Sequence, residues 1–188
     1  MTVATSRSTS ISRQQRGTIV AIFVGLSLSV GIFAAGAAAG FRINMTPSEP
    51  LGLWRIHPLE RPVAVGDRVF ICPPATSQFV EARARGYLRH GLCPSGVAPL
   101  IKTVIAVEGQ RIEIDEDVRV DSRRIPKSRV VGADGKGRVL RAYSGGIVPA
   151  GTVFLYSPYV ASWDSRYFGP IPVSGILGLA QEVLTYAP

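Results

Sequence analysis

One serine in this 188-residue chain stands in a setting that suits a nucleophile. Ser48 lies between two prolines in the stretch Thr46-Pro47-Ser48-Glu49-Pro50. Each proline fixes its own φ and pushes the residue before it into extended geometry, so the backbone around the hydroxyl is stiff. A nucleophile gains from such positioning because less entropy remains to be lost at the transition state. A proline-rich linker is the alternative, and these residues alone favour it.

A serine nucleophile needs a base, and the basic residues of this chain narrow the choice. Arginine keeps its proton at ordinary pH, so histidine and lysine are the candidates. His57 precedes a proline and His90 ends a polar stretch, so neither has the surroundings expected in a Ser-His-Asp triad. Only three of the 21 basic residues are lysines, and two of these, Lys127 and Lys136, stand in polar sequence rich in glycine and arginine.

Lys102 is the lysine whose neighbours fit a general base. It lies in the stretch Pro-Leu-Ile-Lys-Thr-Val-Ile-Ala-Val, where strand alternation puts it on one face with Leu100, Val104 and Ala106. Burial among apolar side chains lowers the pKa of a lysine, which is how an amine becomes a neutral base. The alternative is a lysine that extends from a strand edge into solvent, and the residues leave both interpretations open.

A third group of residues that suits an active site is the stretch SWDSRYFG, residues 162–169. Asp164 and Arg166 are two apart, so on a strand they would share a face and could pair or brace a neighbouring loop. We expect an ion pair that organises the site and takes no chemical step itself.

The residues before Arg42 predict a membrane anchor. The chain carries a formal net charge of +8, and it has no acidic residue before Arg42. Residues 17–41 contain no charged residue of either sign. At about 1.5 Å per residue, this uncharged stretch spans a hydrocarbon core about 30 Å thick. Arg7, Arg13 and Arg16 precede it, which predicts a cytoplasmic N-terminus.

We therefore divide the chain into a cytoplasmic segment (1–16), a transmembrane helix (17–41) and an external domain (42–188). A cleaved signal peptide is the alternative, because residues 34–40 are rich in small side chains. The uncharged stretch is longer than the core of a usual signal peptide, about 7–15 residues, which favours an anchor that stays in place. The external part has no run of basic residues of the kind that binds nucleic acid, so we expect no nucleic-acid partner.

The external part has the pattern of a mainly β domain. The 14 prolines and 20 glycines argue against a helical bundle. Three stretches predict strands or a hairpin: PLIKTVIAVEG, RIEIDEDVRV and SGILGLAQEVLTYAP. One short helix is predicted between Ser77 as its N-cap and Gly91 as its stop. Residues 121–150 are polar, basic and rich in glycine, and predict a looser insertion.

Two cysteines, Cys72 and Cys93, lie beyond the anchor. In an oxidising compartment we expect a bridge between them, which would stabilise the fold by about 3 kcal/mol. Two buried free thiols are the alternative. Two cysteines and two histidines are too few and too scattered for a zinc site, and we expect no metal or cofactor.

Taken in order, these features resemble the type I signal peptidase family of membrane-anchored serine proteases. The resemblance covers nearly the whole chain: an N-terminal span, Ser48 soon after it, a Gly-Asp strand pair at residues 66–70, Lys102 before the run VIAVEG, and the box at residues 164–169. The last box is the most specific of these. The resemblance implies an antiparallel β catalytic domain.

Within that family the likeness is closer to the TraF-type conjugative transfer peptidases. The pattern Asn44-x-Thr46-x-Ser48-x-Pro50, followed by Gly-Leu-Trp at residues 52–54, looks like their serine box. In general leader peptidases, Met usually follows the serine and Pro comes one residue after that Met. Two further departures point the same way: Thr103 stands where Arg is usual, and Tyr156-Ser157-Pro158 stands where Gly-Asp-Asn-Arg would be expected.

The resemblance implies a Ser–Lys dyad. Ser48 would attack the scissile carbonyl while the neutral amine of Lys102 takes its proton. The Ser48 backbone N–H and the Thr46 hydroxyl would stabilise the oxyanion, and Asp164 and Arg166 would support the site. The implied substrates carry small residues, typically Ala, immediately before the cleaved bond and two residues earlier.

The resemblance also implies a biological role, which is maturation of the pilin precursor of a conjugative, type IV secretion-like apparatus. The protein would sit in the bacterial inner membrane with its catalytic domain in the periplasm, and its partners would be the pilin precursor, lipid and other proteins of the apparatus. Some TraF-type enzymes join the pilin ends into a ring, as happens when an amine intercepts the acyl-enzyme. The alternatives are a general signal peptidase and a non-catalytic scaffold of a secretion complex.

Overall fold

The computed structural model of this protein describes residues 12–187. Residues 1–11, which hold Arg7 and most of the expected cytoplasmic segment, lie outside the described residues. The chain divides into two units, the first ending at Gly40 and the second beginning at Phe41.

The first unit is a single helix, α1 (Arg13–Ala38). It begins with a capping box, in which the Ser12 hydroxyl accepts a hydrogen bond from the Gln15 N–H and the Gln15 side chain accepts one from the Ser12 N–H. Its mean hydropathy reaches 2.3, and among residues 12–187 it is the one helix long and apolar enough to cross a membrane. The helix begins before the uncharged stretch and ends three residues before the end of that stretch, because Gly40, with φ of 87°, follows it and Phe41 begins a strand.

The second unit is mainly β. Its strands are β1 (Phe41–Asn44), β2 (Leu51–His57), β3 (Arg68–Ile71), β4 (Leu100–Val107), β5 (Arg111–Ile114), β6 (Val118–Val120), β7 (Arg123–Arg124), β8 (Gly146–Ile147), β9 (Thr152–Tyr156), β10 (Ile171–Pro172) and β11 (Ile176–Tyr186). Two short α-helices, α2 (Ser77–Ala84) and α3 (Ser165–Phe168), and a 3₁₀ turn (Val173–Gly175) complete it.

The strands form two antiparallel sheets. The larger has the order β1-β2-β11-β3-β4-β9-β10, and the smaller has the order β7-β6-β5-β8. The hairpin predicted from RIEIDEDVRV is present as β5 and β6, with Ile112 opposite Val120. A mainly β unit with few helices, preceded by one apolar helix, confirms the predicted fold class.

β4 contributes to the cores on both sides of the larger sheet. Its pairing with β9 shifts register between Val104 and Ala106, which is an irregularity of the β-bulge kind. Val104 packs in one hydrophobic cluster, whereas Ile105 and Ala106 pack in another with the smaller sheet. The strand that carries Lys102 is therefore buried along most of its length.

The short helix is smaller than the sequence predicted. Thr76, not Ser77, is the N-cap of α2, and its side chain makes no capping hydrogen bond. The helix ends at Ala84, and Gly86, with φ of 83°, turns the chain away from the helix axis. Gly91 is therefore not the stop signal, because an earlier glycine already ends the helix.

A disulfide joins Cys72 and Cys93 and closes the loop that contains α2. We call residues 72–93 the disulfide loop. The segment 121–150 carries only β7, β8 and an isolated bridge between Ala133 and Val139 as regular structure. Its irregular backbone is nevertheless held by hydrogen bonds to both sheets and to the disulfide loop.

Candidate active site

The loop that carries Ser48 connects β1 to β2 and is held from within by one side chain. The Asn44 amide nitrogen donates to the carbonyl oxygens of Thr46, Glu49 and Pro50 at 2.9–3.0 Å. The Asn44 side-chain oxygen accepts from the Thr46 N–H at 3.0 Å and from the Thr46 hydroxyl at 2.6 Å. Because Asn44 is buried, these five hydrogen bonds fix the loop more firmly than the prolines alone would.

The backbone N–H and the hydroxyl of Ser48 are the two groups that a serine nucleophile uses. Among residues 12–187, neither its backbone N–H nor its hydroxyl has a hydrogen-bond partner. Its carbonyl oxygen, by contrast, accepts a hydrogen bond from the hydroxyl of Ser157. The residue is half-buried, so the hydroxyl is accessible on a loop whose backbone is fixed.

The structure places Lys102 within β4, opposite Val69 of β3, and leaves 4% of it exposed. It therefore does not extend into solvent. Burial lowers the pKa of Lys102, while the carboxylates of Asp164 and Glu49 act in the opposite direction and Arg166 adds to the lowering. The lowered pKa favours the neutral amine.

Ser48 and Lys102 line the same groove, which has a volume of about 610 Å³. Residues 86–90 of the disulfide loop form one wall, and residues 159 and 161–163 contribute another. Thr46 also lines the groove. Among residues 12–187, no hydrogen bond joins the Ser48 hydroxyl and the Lys102 amine, although both line this groove.

Asp164 and Arg166 form a fully buried ion pair. The Arg166 Nε lies 2.8 Å from Asp164 Oδ1, and its Nη2 lies 2.8 Å from Oδ2. The sequence analysis expected these two residues to share a strand face, and the structure shows that they do not. Asp164 is instead the N-cap of α3 and accepts the Arg166 N–H at 3.2 Å. A four-residue helix has no periodic signal, which is why the strand interpretation was wrong.

The Arg166 guanidinium also holds the loop that follows β9. It donates to the carbonyl oxygens of Ser157, Tyr159 and Ser162 at 3.2–3.4 Å. Neither Arg166 nor Asp164 lines the groove, whereas Tyr159 and Ser162 do. The buried pair therefore positions a groove wall and acts on Lys102 through its charge.

Thr46 differs in part from what the resemblance implied. Its hydroxyl proton is engaged with Asn44 in this structure. To donate to an oxyanion, this hydroxyl would have to rotate away from Asn44. The free Ser48 N–H needs no such rearrangement.

Sequence reasoning missed three groups near Ser48. Asn44 was only part of a quoted pattern, yet it clamps the loop. Ser162 is buried, its hydroxyl has no partner among residues 12–187, and it lines the groove with Lys102. Glu49 is buried with its Oε2 3.3 Å from Arg68 Nε, and burial raises its pKa against the opposing charges of Arg68 and Lys102. The sequence signal for Ser162 was its position two residues before Asp164.

Within residues 12–187, no group of three or more His, Cys, Asp or Glu side chains is arranged to hold a metal ion.

Comparisons with known proteins identify the family of this chain. The sequence profile of "Signal peptidase, peptidase S26" matches residues 13–185, and the chain belongs to this family. It is similar to a probable conjugal transfer protein TraF of Sinorhizobium fredii, with 60% identity over 94% of this chain and 95% of that protein. It is also similar to a conjugal transfer protein TraF of Agrobacterium tumefaciens (60%; 82% and 88% covered) and to a plasmid transfer protein TraF of Escherichia coli (37%; 87% and 95% covered).

A solved signal peptidase I from Enterococcus faecalis is similar over 63% of this chain and 97% of that one, with 17% identity and a TM-score of 0.40. The family match and the TraF-named relatives confirm the resemblance to the type I signal peptidases and to their TraF-type branch.

Proposed function

We propose that this protein is a membrane-anchored serine endopeptidase that matures the pilin precursor of a conjugative, type IV secretion-like apparatus. One observation carries the proposal: Ser48, on a loop clamped by Asn44, and Lys102, a buried amine, line the same groove. Membership of a peptidase family supports the chemistry. Conjugal transfer proteins among the relatives support the biological setting.

The first half-reaction forms an acyl-enzyme. The Ser48 oxygen attacks the carbonyl carbon of the scissile bond while neutral Lys102 takes the hydroxyl proton. The Ser48 N–H donates to the oxyanion of the tetrahedral intermediate, and loss of one such donor typically costs about 3 kcal/mol of transition-state stabilisation. The resulting Lys102 ammonium then gives its proton to the departing amine, which leaves an ester on Ser48.

The second half-reaction releases the product. Lys102, neutral again, takes a proton from the incoming nucleophile as that nucleophile attacks the ester carbonyl. Water as the nucleophile gives a linear product with a free carboxyl group. The pilin's own terminal amine as the nucleophile gives a new peptide bond and a ring, and this is the cyclisation that we include in the proposal.

Other groups of the groove position these reactants. The buried Ser162 hydroxyl has no partner among residues 12–187 and is suited to orient the Lys102 amine. The Thr46 hydroxyl is suited to become a second oxyanion donor once it turns from Asn44. Asp164 and Arg166 hold the wall that carries Ser162. We assign these four residues supporting roles.

The location follows from α1 and the charges around it. The helix would cross the bacterial inner membrane with Arg13 and Arg16 on the cytoplasmic side, which puts the β unit in the periplasm. The Cys72–Cys93 disulfide fits that oxidising compartment. Other proteins of the conjugation apparatus are the partners that we expect beside the pilin precursor and lipid, with no nucleic acid among them.

The test compares matched variants in cells that carry the conjugation apparatus. We expect the pilin precursor to accumulate with Ser48→Ala and with Lys102→Ala, and mature pilin to form with Ser174→Ala and Lys136→Ala, which change exposed residues outside the groove. Retained processing in both of the first two variants would contradict the enzyme proposal and leave the scaffold alternative.

The same cells separate the remaining alternatives. Accumulation of other exported precursors when the protein is absent would indicate a general signal peptidase. The mass of the mature pilin settles cyclisation, because the ring is one water lighter than the linear product.

A further inference from the structure

Residues 126–139 cross the β unit from the supports of the groove to the disulfide loop, and we call them the strap. At one end the strap is fixed to residues beside the buried ion pair. The Arg166 guanidinium donates to the carbonyl of Arg129 at 2.8 Å, and the Val131 N–H donates to the Tyr167 hydroxyl at 3.1 Å. This end is therefore held in part by Arg166, which also holds a groove wall.

At its other end the strap forms a turn around Asp134. One carboxylate oxygen of Asp134 accepts the backbone N–H groups of Lys136 and Arg138, both at 2.9 Å. The other oxygen lies 2.6 Å from Arg138 Nε and accepts a hydrogen bond from the hydroxyl of Tyr87 in the disulfide loop. The hydrogen bond from Tyr87, with those from the turn, holds the pKa of Asp134 well below its usual range. Asp134 is therefore a carboxylate held in place by the turn, and the Tyr87 hydroxyl donates to it from the disulfide loop.

Arg138 makes the second link between the strap and the disulfide loop. Its guanidinium donates to the carbonyl of Arg85 at 2.9 Å and lies over the ring of Tyr87, 5.3 Å from the centroid. Arg85 donates in return to the carbonyl of Val139 at 3.0 Å. Residues 85–87 are thus held from the strap side by hydrogen bonds in both directions.

Tyr87 belongs to the wall of the groove that residues 86–90 form. This wall begins at the glycine turn after α2 and has no helical or sheet ladder of its own apart from the bridge between His90 and Val97. The ring of Tyr87 also lies 6.1 Å from that of Trp163, which lines the groove as well. The backbone of this wall is also held from outside the strap, since the Tyr87 N–H donates to the Ala82 carbonyl at 2.9 Å and the Arg89 carbonyl accepts from the Ala98 N–H at 2.8 Å. The Tyr87 hydroxyl donates to Asp134 of the strap, so the strap fixes where this side chain lies in the wall.

We infer that the strap is a specificity element of the groove: Asp134, acting through the Tyr87 hydroxyl, sets where this side chain lies in wall 86–90, against which a peptide substrate lies. The inference rests on the proposed function, since it takes the groove as the peptide site. Asp134 is a positioning residue that touches no substrate. Its loss weakens binding of an extended peptide and leaves the chemistry at Ser48 unchanged.

The experiment uses the full chain in detergent and a synthetic decapeptide with Ala immediately before the cleaved bond and two residues earlier. We expect Asp134→Ala and Tyr87→Phe each to raise KM about tenfold, the size expected for a hydrogen bond to a charged group, with kcat within about twofold of the wild type. The double variant should have the KM of Asp134→Ala alone, because Tyr87→Phe removes a hydrogen bond that Asp134→Ala has already removed. Glu116→Ala is the matched control, because it removes an exposed carboxylate near the strap that does not contact Tyr87.

An unchanged KM in both single variants would overturn the inference, and so would a loss confined to kcat. If Asp134→Ala does not fold, Tyr87→Phe decides the question, because it keeps the ring and removes only the hydroxyl. Failure of the proposed function looks different. In that case Ser48→Ala would cleave the decapeptide as well as the wild type does, whatever the strap variants do.

Discussion

The hydroxyl of Ser157 donates a hydrogen bond to the carbonyl oxygen of Ser48, across 109 positions of the chain. Ser157 is itself fixed, because its N–H donates to Asp164 Oδ2 at 3.1 Å and its carbonyl accepts from Arg166. The buried ion pair therefore reaches the loop of the proposed nucleophile through one short side chain. Ser157 lies in one of the three stretches that depart from the pattern expected of general leader peptidases.

Removal of that link should slow the reaction without unfolding the protein. We expect Ser157→Ala to lower kcat about tenfold. The variant loses the hydrogen bond from the Ser157 hydroxyl to the Ser48 carbonyl, so Ser48 is positioned less firmly for attack. Decapeptide cleavage with purified protein measures this. Ser95→Ala is the control, since its buried hydroxyl has no partner among residues 12–187. Equal rates for the wild type and Ser157→Ala would show that the link has no role in positioning Ser48.

The Asp164–Arg166 pair should matter for stability far more than an exposed pair does. Asp164→Ala leaves the Arg166 charge buried without its partner, which should cost about 3–5 kcal/mol of the free energy of unfolding. Asp117→Ala, which breaks the exposed pair with Arg124, should cost less than about 1 kcal/mol. Denaturant unfolding measures both values, and similar small losses in the two variants would contradict the assignment of Asp164 as a structural support.

The rate of cleavage should rise with pH. The proposed base is the neutral Lys102 amine, and burial lowers the pKa of this residue below its ordinary value of 10.5. The neutral fraction therefore increases with pH and approaches its maximum below pH 10.5. A profile of kcat/KM against pH for the decapeptide checks this, and a rate that falls over the range where Lys102 loses its proton would contradict it.

Lys102 should also make stability depend on pH with a definite sign. Because its pKa is lower in the folded protein than in the unfolded chain, the unfolded chain binds the proton more readily between the two values. The contribution of Lys102 to the free energy of unfolding therefore increases as pH rises through that interval and is constant above the unfolded pKa. Lys102→Met should remove this part of the pH dependence in denaturant titrations, and an unchanged slope would show that the amine is not the cause.

The disulfide should stabilise the β unit. Cys72 and Cys93 are 21 positions apart, and a bridge that closes a loop of this length is worth about 3 kcal/mol. Reductant should lower the free energy of unfolding of the wild type by about this amount. A variant with Ser at both positions should start at the lower value and not respond to reductant. A response to reductant in that variant would show that another effect is responsible.

The sequence predicts those parts of the protein that depend on local patterns. The apolar run before Arg42 is a continuous signal, so the long helix could be recognised without any tertiary contact. Alternation around Lys102 and the hairpin over residues 111–120 are likewise local, and strands are found in both places. The mainly β class followed from proline, glycine and these alternating runs.

The contacts that assemble the site could not be predicted in this way. The hydrogen bond from Ser157 to Ser48 joins residues with no sequence relationship, and the bond from Tyr87 to Asp134 links two irregular segments. The role of Asn44 depends on the loop folding back over its own side chain. Such contacts are properties of the folded backbone and leave no periodic trace in the sequence.

The most direct test of the account is cleavage of the pilin precursor by Lys102→Arg, measured with the purified full chain beside Ser48→Ala and Lys102→Met. Arginine keeps the positive charge but cannot release its proton, so a base at this position is lost while the charge remains. We predict that all three variants leave the precursor intact at every pH where the wild type cleaves it. Cleavage by Lys102→Arg at the wild-type rate would contradict the claim that Lys102 is the base for Ser48.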